Sequence, residues 1–180
     1  MDPALAVILR GSLALLFVVA ATHKLRDVAA FRATLEAYGL LPAALLAAAA
    51  RVLPALELAT AVILATPRAP ALGGLLAAGL LALYGVAMAV NLVRGRRDLD
   101  CGCMGPGAGR RIGGVLIARN AALIAAALAC LLPVRPRSLV WVDACTVPLA
   151  IAAVAALYAA IERLLANAPA VAALRAEVRS

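Results

Sequence analysis

The sequence predicts an all-α integral membrane protein, a bundle of about five transmembrane helices with a short interfacial helix after the first span. Three observations predict this class: 66% of the 180 residues are hydrophobic, the mean hydropathy is +1.04, and only 14% of the residues are charged. A soluble domain carries about 25% charged residues. The composition therefore excludes an ordinary soluble fold.

Each predicted span is an apolar run long enough to cross the hydrocarbon core, which takes about 20 residues. Between the first two spans, residues 28–38 place apolar side chains at helical spacing and predict a short helix at the membrane interface. No internal repeat or linker divides the sequence, so residues 1–180 are predicted to form one membrane domain. The five spans cover about residues 4–22, 43–66, 70–93, 112–132 and 139–161.

The basic residues give the chain a formal charge of +8, and they lie in short clusters between the apolar runs, as at the flanks of membrane spans. No basic stripe with interleaved aromatic residues predicts nucleic-acid binding, so the lipid bilayer is the expected partner of these charges. With five spans, the face opposite the polar loop of residues 94–111 holds only Arg68, Arg135 and Arg137. The positive-inside rule then places that loop and the C-terminus in the cytoplasm.

The residues best suited to chemistry are Cys101 and Cys103, which are separated by one glycine in the 94–111 loop. Gly102 lets the backbone bring two sulfurs together, and nearby arginines favour thiolates while nearby aspartates oppose them. Such a pair suits disulfide exchange or capture of a soft metal such as Cu(I) or Hg(II), or it is two unrelated loop thiols. No cofactor is predicted beyond the pair, because the sequence has no zinc-type ligand set or dinucleotide fingerprint.

Cys130 and Cys145 lie at the facing ends of the fourth and fifth predicted spans. They could form a second thiol pair across the turn, although free cysteine commonly acts as a small buried hydrophobe. Both readings are open from the sequence.

Charged and polar residues inside the spans are costly and usually have a function. A rise of about 1.5 Å per residue places Arg10 and Glu57 at similar depths, so we expect an ion pair between them within the bundle. Arg119, Asn120 and Asn91 lie on the side of the cysteine loop. They are predicted to line a polar pocket beneath the loop that steadies a thiolate or a disulfide.

A longer pattern of residues, from about residue 10 to residue 132, is similar to that of a known family. Its most specific stretch runs from Arg94-Gly95 through Asp100-Cys101-Gly102-Cys103-Met104-Gly105 to Arg119-Asn120. Its weaker positions are His23-Lys24-Leu25, Phe31, Tyr38, Leu41-Pro42, Pro54 and Glu57. In these features the chain resembles the MauE family of methylamine utilisation proteins, within the wider DoxX-like group of small membrane proteins.

The resemblance implies thiol–disulfide chemistry at the bacterial inner membrane, with Cys101 and Cys103 as the redox pair and Arg94, Arg119 and Asn120 as supporting residues. It also implies a thioredoxin-like partner or a disulfide-containing periplasmic client, such as the small subunit of methylamine dehydrogenase. A periplasmic client conflicts with a cytoplasmic loop unless electrons cross the membrane. A soft-metal binding or transport protein and a non-catalytic scaffold subunit are the alternatives.

Overall fold

The computed structural model describes residues 1–96 and 113–177, with side chains described up to residue 167, and this part of the chain is helical with no β-strand. The predicted all-α class is confirmed. The helices are α1 (Pro3–Arg26), α2 (Val28–Tyr38), α3 (Ala43–Ala65), α4 (Pro70–Val93), α5 (Gly114–Ala129) and α6 (Trp141–Glu177).

Four of these helices have the length and composition to cross a membrane: α1, α3, α4 and the Trp141–Asn167 part of α6. Helix α5 is apolar but has only 16 residues, which gives a rise of about 24 Å against a hydrocarbon core of about 30 Å. It is shorter than the predicted span of residues 112–132, because residues 130–132 form 3₁₀-type turns after Ala129. Large apolar side chains such as Leu83 face outward, as expected of a protein surrounded by lipid. The chain is a membrane protein.

Local sequence sets the ends of the first helices. Asp2 caps α1 by accepting a hydrogen bond from the Ala4 amide at 2.8 Å, and Pro3 occupies the first helical turn, where its missing N–H costs nothing. Asp27 separates α1 from α2 and accepts from the Ala30 amide at 2.9 Å. Gly39 ends α2 with a left-handed backbone (φ 61°), which glycine adopts without strain.

The connections between helices lie at two opposite ends of the bundle, each marked by contacts between residues distant in sequence. At the N-terminal end, the Met1 ammonium donates to the Pro133 carbonyl at 2.6 Å and the Arg135 amide donates to the Met1 carbonyl at 2.9 Å. Helix α5 therefore runs back to the end where the chain begins. At the opposite end, which we call the loop end, the Arg96 guanidinium lies 3.5 Å from the Tyr38 carbonyl.

Small residues on α4 allow close packing against its neighbours. A Cβ on Gly74 would lie 2.7 Å from the Ala127 carbonyl oxygen, and one on Gly85 would lie 2.6 Å from the Asn120 side-chain nitrogen. Around these contacts α1, α3, α4 and α5 share one apolar core. The buried members of that core are Leu13, Ala14, Phe17, Ala61, Leu64, Ala77, Ala78, Leu81, Ala127 and Cys130.

Candidate functional site

A mostly apolar cavity of about 310 Å³ lies between α1, α4, α5 and α6. Helix α5 packs chiefly against α4, and α6 packs chiefly against α1, so the last two helices flank a gap. The cavity follows α1 from Leu9 to Lys24, a rise of about 22 Å. Its polar lining is concentrated toward the loop end, where it comprises Lys24, Glu57, Tyr84, Arg119 and Asn120.

Lys24 and Glu57 form a buried ion pair in this polar part of the cavity. Lys24 is 4% exposed and Glu57 is fully buried. The Tyr84 hydroxyl donates to the same carboxylate oxygen, Oε1, at 2.7 Å, and the Lys24 ammonium lies 4.5 Å from the Tyr84 ring centroid. A charge placed this deep is tolerated because its partners replace the water it has lost.

The predicted ion pair between Arg10 and Glu57 is wrong. Cα–Cβ bonds tilt toward the N-terminus of a helix, and α1 and α3 run in opposite directions. Glu57 therefore leans toward the loop end, where it meets Lys24, while Arg10 leans toward the N-terminal end. There Arg10 donates to the Leu64 and Thr66 carbonyls at 2.9 Å and 2.6 Å, which are free of helical partners at the end of α3.

A second ion pair joins the two helices that flank the cavity. The Arg119 guanidinium of α5 donates to the Glu162 carboxylate of α6 at 2.6 Å, and the two side chains are 13% and 3% exposed. The Arg119 guanidinium carbon also lies 5.9 Å from the Tyr158 ring centroid. Arg119 thus lines the cavity and pairs with a carboxylate of α6.

The two asparagines of the predicted pocket have different surroundings. Asn120 lines the cavity and its amide donates to the Leu81 carbonyl at 2.6 Å. Asn91 is buried but does not line the cavity, and its amide donates to the Ala87 carbonyl at 3.1 Å. The structure therefore brings Asn120 and Arg119 to the cavity and leaves Asn91 outside its lining.

The thiols of the sequence are only partly described. Cys101 and Cys103 lie outside the described residues, while Arg94 forms the C-cap of α4 with an exposed side chain. Cys130 and Cys145 are both free thiols, the first buried and the second exposed, so the structure does not join them in a disulfide. The Cys130 sulfur lies 3.7 Å from the Ala126 carbonyl, a position that fits a buried small hydrophobe.

We call the polar side chains at the loop end of the cavity, together with Glu162, the polar cluster; its members are Lys24, Glu57, Tyr84, Arg119, Asn120 and Glu162. Sequence reasoning missed three of them: Lys24, Tyr84 and Glu162. Lys24 directly follows an apolar run, and its side chain points back along that run. Glu162 lies one residue past the predicted end of the fifth span, at the depth that Arg119 requires. Both ion pairs, Lys24–Glu57 and Arg119–Glu162, can be identified by comparing the depths of the charged residues along their helices and by including the tilt of each side chain toward the N-terminus of its helix.

The family assignment follows from comparison with known proteins. The family model described as methylamine utilisation protein MauE matches residues 2–133, well over half of the chain. The chain belongs to the MauE family. The protein named methylamine utilization protein MauE from Paracoccus versutus is 40% identical over 134 residues, which cover 73% of this chain and 72% of that protein. Its namesake from Methylorubrum extorquens is 39% identical over 137 residues, which cover 75% and 74%. No solved structure matches the chain.

The residues matched by the MauE family model include some members of the polar cluster but not all of them. Lys24, Glu57, Tyr84 and Arg119 lie within the matched residues, whereas α6 lies beyond them. Glu162 therefore reaches the cluster from a helix outside the matched MauE region.

Proposed function

We propose that this MauE-family chain is a thiol–disulfide redox protein of the bacterial inner membrane, with Cys101 and Cys103 as its redox pair. The observation that carries the proposal is the position of this pair in the chain: it lies between the end of α4 and the start of α5. Both helix ends belong to the loop end of the bundle, where the cavity has its buried ion pairs. A close dithiol in an arginine-rich segment is suited to exchange with another dithiol.

The reaction we propose is thiol–disulfide exchange with a thioredoxin-like protein or a disulfide-containing client. A thiolate of one protein attacks a sulfur of the other's disulfide, and a mixed disulfide forms and is then resolved. One protein gains the S–S bond and loses two electrons and two protons, and the other gains them. No further oxidant enters the exchange itself.

The names of the relatives support a physiological setting for this exchange. The similar proteins of Paracoccus versutus and Methylorubrum extorquens are named methylamine utilization proteins. We propose that this chain serves a methylamine utilisation system and that its client is a disulfide-rich periplasmic protein, such as the small subunit of methylamine dehydrogenase.

The orientation of the loop decides how the electrons travel. The basic residues favour a cytoplasmic loop, whereas a periplasmic client requires exchange on the other side of the membrane. A membrane-impermeant maleimide applied to intact cells distinguishes the two arrangements. Labelling of Cys101 and Cys103 from outside supports direct exchange in the periplasm, and protection supports a cytoplasmic electron source.

Equilibration in redox buffers tests the proposed pair. The purified protein is held at a series of thiol–disulfide potentials, and alkylation followed by intact mass counts the free cysteines. We expect two thiols to titrate together in the native chain and in Cys130→Ser/Cys145→Ser, and none to do so in Cys101→Ser/Cys103→Ser.

Failure of Cys101 and Cys103 to form a disulfide at any potential contradicts the proposal. Stoichiometric Cu(I) uptake that the same double change abolishes would then assign the pair to soft-metal binding. Client maturation that survives the double change would assign the chain to a scaffold role.

A further inference from the structure

We propose that the cavity binds a membrane quinone, with the quinone ring at the polar loop end and its isoprenoid chain along the apolar part. The inference rests on the proposed thiol–disulfide function, because a protein that turns dithiols into disulfides repeatedly must pass the electrons to an acceptor. It goes beyond that function by naming the acceptor and its site.

The size and shape of the cavity fit an elongated, lipid-soluble ligand. Its volume of about 310 Å³ falls in the range of small-molecule pockets, and its rise of about 22 Å along α1 is much longer than a single ring. Side chains such as Leu13, Leu123 and Val154 line the long part. An isoprenoid chain is the kind of group that such a lining would bury.

The polar end offers hydrogen-bond partners that a ring with two oxygens can use. The Lys24 ammonium on the cavity wall carries a third N–H besides those directed at Glu57 and Tyr84, and the Tyr84 oxygen, whose single proton goes to Glu57, can accept a hydrogen bond. The second carboxylate oxygen of Glu57, Oε2, is buried and has no hydrogen-bond partner among the described residues. A buried acceptor without a partner is costly, and the hydroxyl of a quinol would satisfy it.

The balance of charge favours a neutral head group over an anionic one. Among the described residues, Lys24 pairs with Glu57 and Arg119 pairs with Glu162, so these residues bring two cations and two carboxylates to the polar end. A fatty-acid carboxylate or a lipid phosphate would add an uncompensated negative charge beside Glu57 in a medium of low dielectric constant. A quinone adds none.

The electron balance also fits. Oxidation of the Cys101 and Cys103 thiols breaks two S–H bonds, forms one S–S bond and releases two electrons and two protons. The quinone takes both electrons and both protons on its two carbonyl oxygens and becomes a quinol. The quinol leaves to the bilayer, where its chain is soluble.

Binding is tested with decylubiquinone and the purified protein in detergent, with Cys101, Cys103, Cys130 and Cys145 all changed to Ser so that no thiol reacts with the quinone. We expect one bound quinone per chain by equilibrium dialysis. Ala155→Phe and Ala126→Phe place a ring in the cavity and should each weaken binding at least about tenfold, as expected when a pocket is filled. Ala153→Phe, on the same helix but outside the lining, is the matched control and should change nothing.

The position of the ring is tested with decylubiquinol, whose hydroxyl can donate to the Tyr84 oxygen, and with Tyr84→Phe, which keeps the shape of the side chain and removes that acceptor. We expect about a tenfold loss of affinity, the usual worth of one hydrogen bond. Unchanged affinity in Tyr84→Phe, equal loss in Ala153→Phe, or displacement of the quinone by oleate at equal concentration would overturn the proposal.

An experiment on the native protein distinguishes failure of the quinone proposal from failure of the proposed thiol–disulfide function. Mixing the reduced protein with decylubiquinone should yield one quinol and one Cys101–Cys103 disulfide per chain. A disulfide that forms in redox buffers, with no quinone bound, overturns the cavity assignment and leaves the proposed function standing. Quinone that binds to the cysteine-free protein, with no disulfide in the native chain, removes the proposed function alone.

Discussion

Arg119 of α5 donates a hydrogen bond to Glu162 of α6 at 2.6 Å, across a cavity that separates the two helices. The helices pack mainly against other neighbours, α5 against α4 and α6 against α1. This ion pair therefore connects α5 to α6 beside the cavity at the loop end. It also ties α6, which lies outside the MauE match, to the matched part of the chain.

Loss of one partner of this pair is expected to destabilise the bundle. Glu162→Gln removes the carboxylate charge that faces Arg119, which should lower the free energy of unfolding by about 3 kcal/mol. Unfolding in mixed detergent micelles measures the change. Arg163→Gln, an exposed neighbour, is the control and should cost less than about 0.5 kcal/mol. Equal losses in the two variants would show that the pair does not join the helices.

Double-mutant cycles should distinguish the Lys24–Glu57 pair from the pair that the sequence predicted. Lys24→Met and Glu57→Gln are expected to couple by about 2 kcal/mol, because each removes a charge that the other compensates. Arg10→Met and Glu57→Gln should be additive to within about 0.5 kcal/mol, since Arg10 bonds to carbonyls of α3 instead. The same unfolding assay supplies both cycles. A larger coupling energy in the Arg10 cycle would contradict the structure.

The glycines of α4 should differ in their tolerance of alanine. Gly85→Ala places a methyl group against the Asn120 amide, so we expect a loss of about 1–3 kcal/mol and a weakened Asn120–Leu81 hydrogen bond. Gly79→Ala meets no atom within 4 Å and should stabilise the helix by about 0.5–1 kcal/mol. Unfolding free energies of the two variants check the contrast. Similar losses at both positions would show that α4 and α5 do not pack this closely.

The contact between Asp2 and Arg137 at the N-terminal end should depend on pH only in acid. Arg137 hydrogen-bonds both Asp2 and Asp143, and these bonds lower the pKa of each carboxyl below its usual 3.8. A carboxyl whose pKa is lower in the folded state stabilises fully above 3.8 and loses that contribution as the pH falls through the folded value. The melting-temperature difference between the native chain and Arg137→Gln should therefore be constant from pH 7 to pH 5 and shrink below 3.8. Arg135→Gln is the control and should show no such trend, and a difference that already shrinks at pH 6 would contradict this origin.

Much of the fold could be read from apolar run lengths, because a membrane-spanning helix is defined by length and composition. Helices α1, α3 and α4 match the runs from which they were predicted to within a few residues. Helix α5 is shorter than its run, since hydropathy does not show where helical hydrogen bonding gives way to turns at residues 130–132. Helix α6 continues unbroken beyond the fifth predicted span to Glu177.

The polar cluster was harder to predict because depth along a helix does not say which way a side chain leans. Arg10 and Glu57 have similar backbone depths, yet they point to opposite ends of the bundle. Lys24 lies at a helix end, where a basic residue is expected at the membrane surface, yet its long side chain returns into the bundle and is buried. Arg119 and Asn120 both line the cavity, and their partners Glu162 and the Leu81 carbonyl come from helices whose packing the sequence alone does not reveal.

The short length of α5 has a consequence for the surrounding lipid. A helix that rises about 24 Å beside partners long enough for a full bilayer creates hydrophobic mismatch on one flank of the protein. Where the membrane adapts by thinning locally, the cost is a fraction of a kcal/mol per ångström. Lipid head groups on the α5 flank are thereby drawn toward the bilayer centre, which favours short-chain lipids there over long-chain ones.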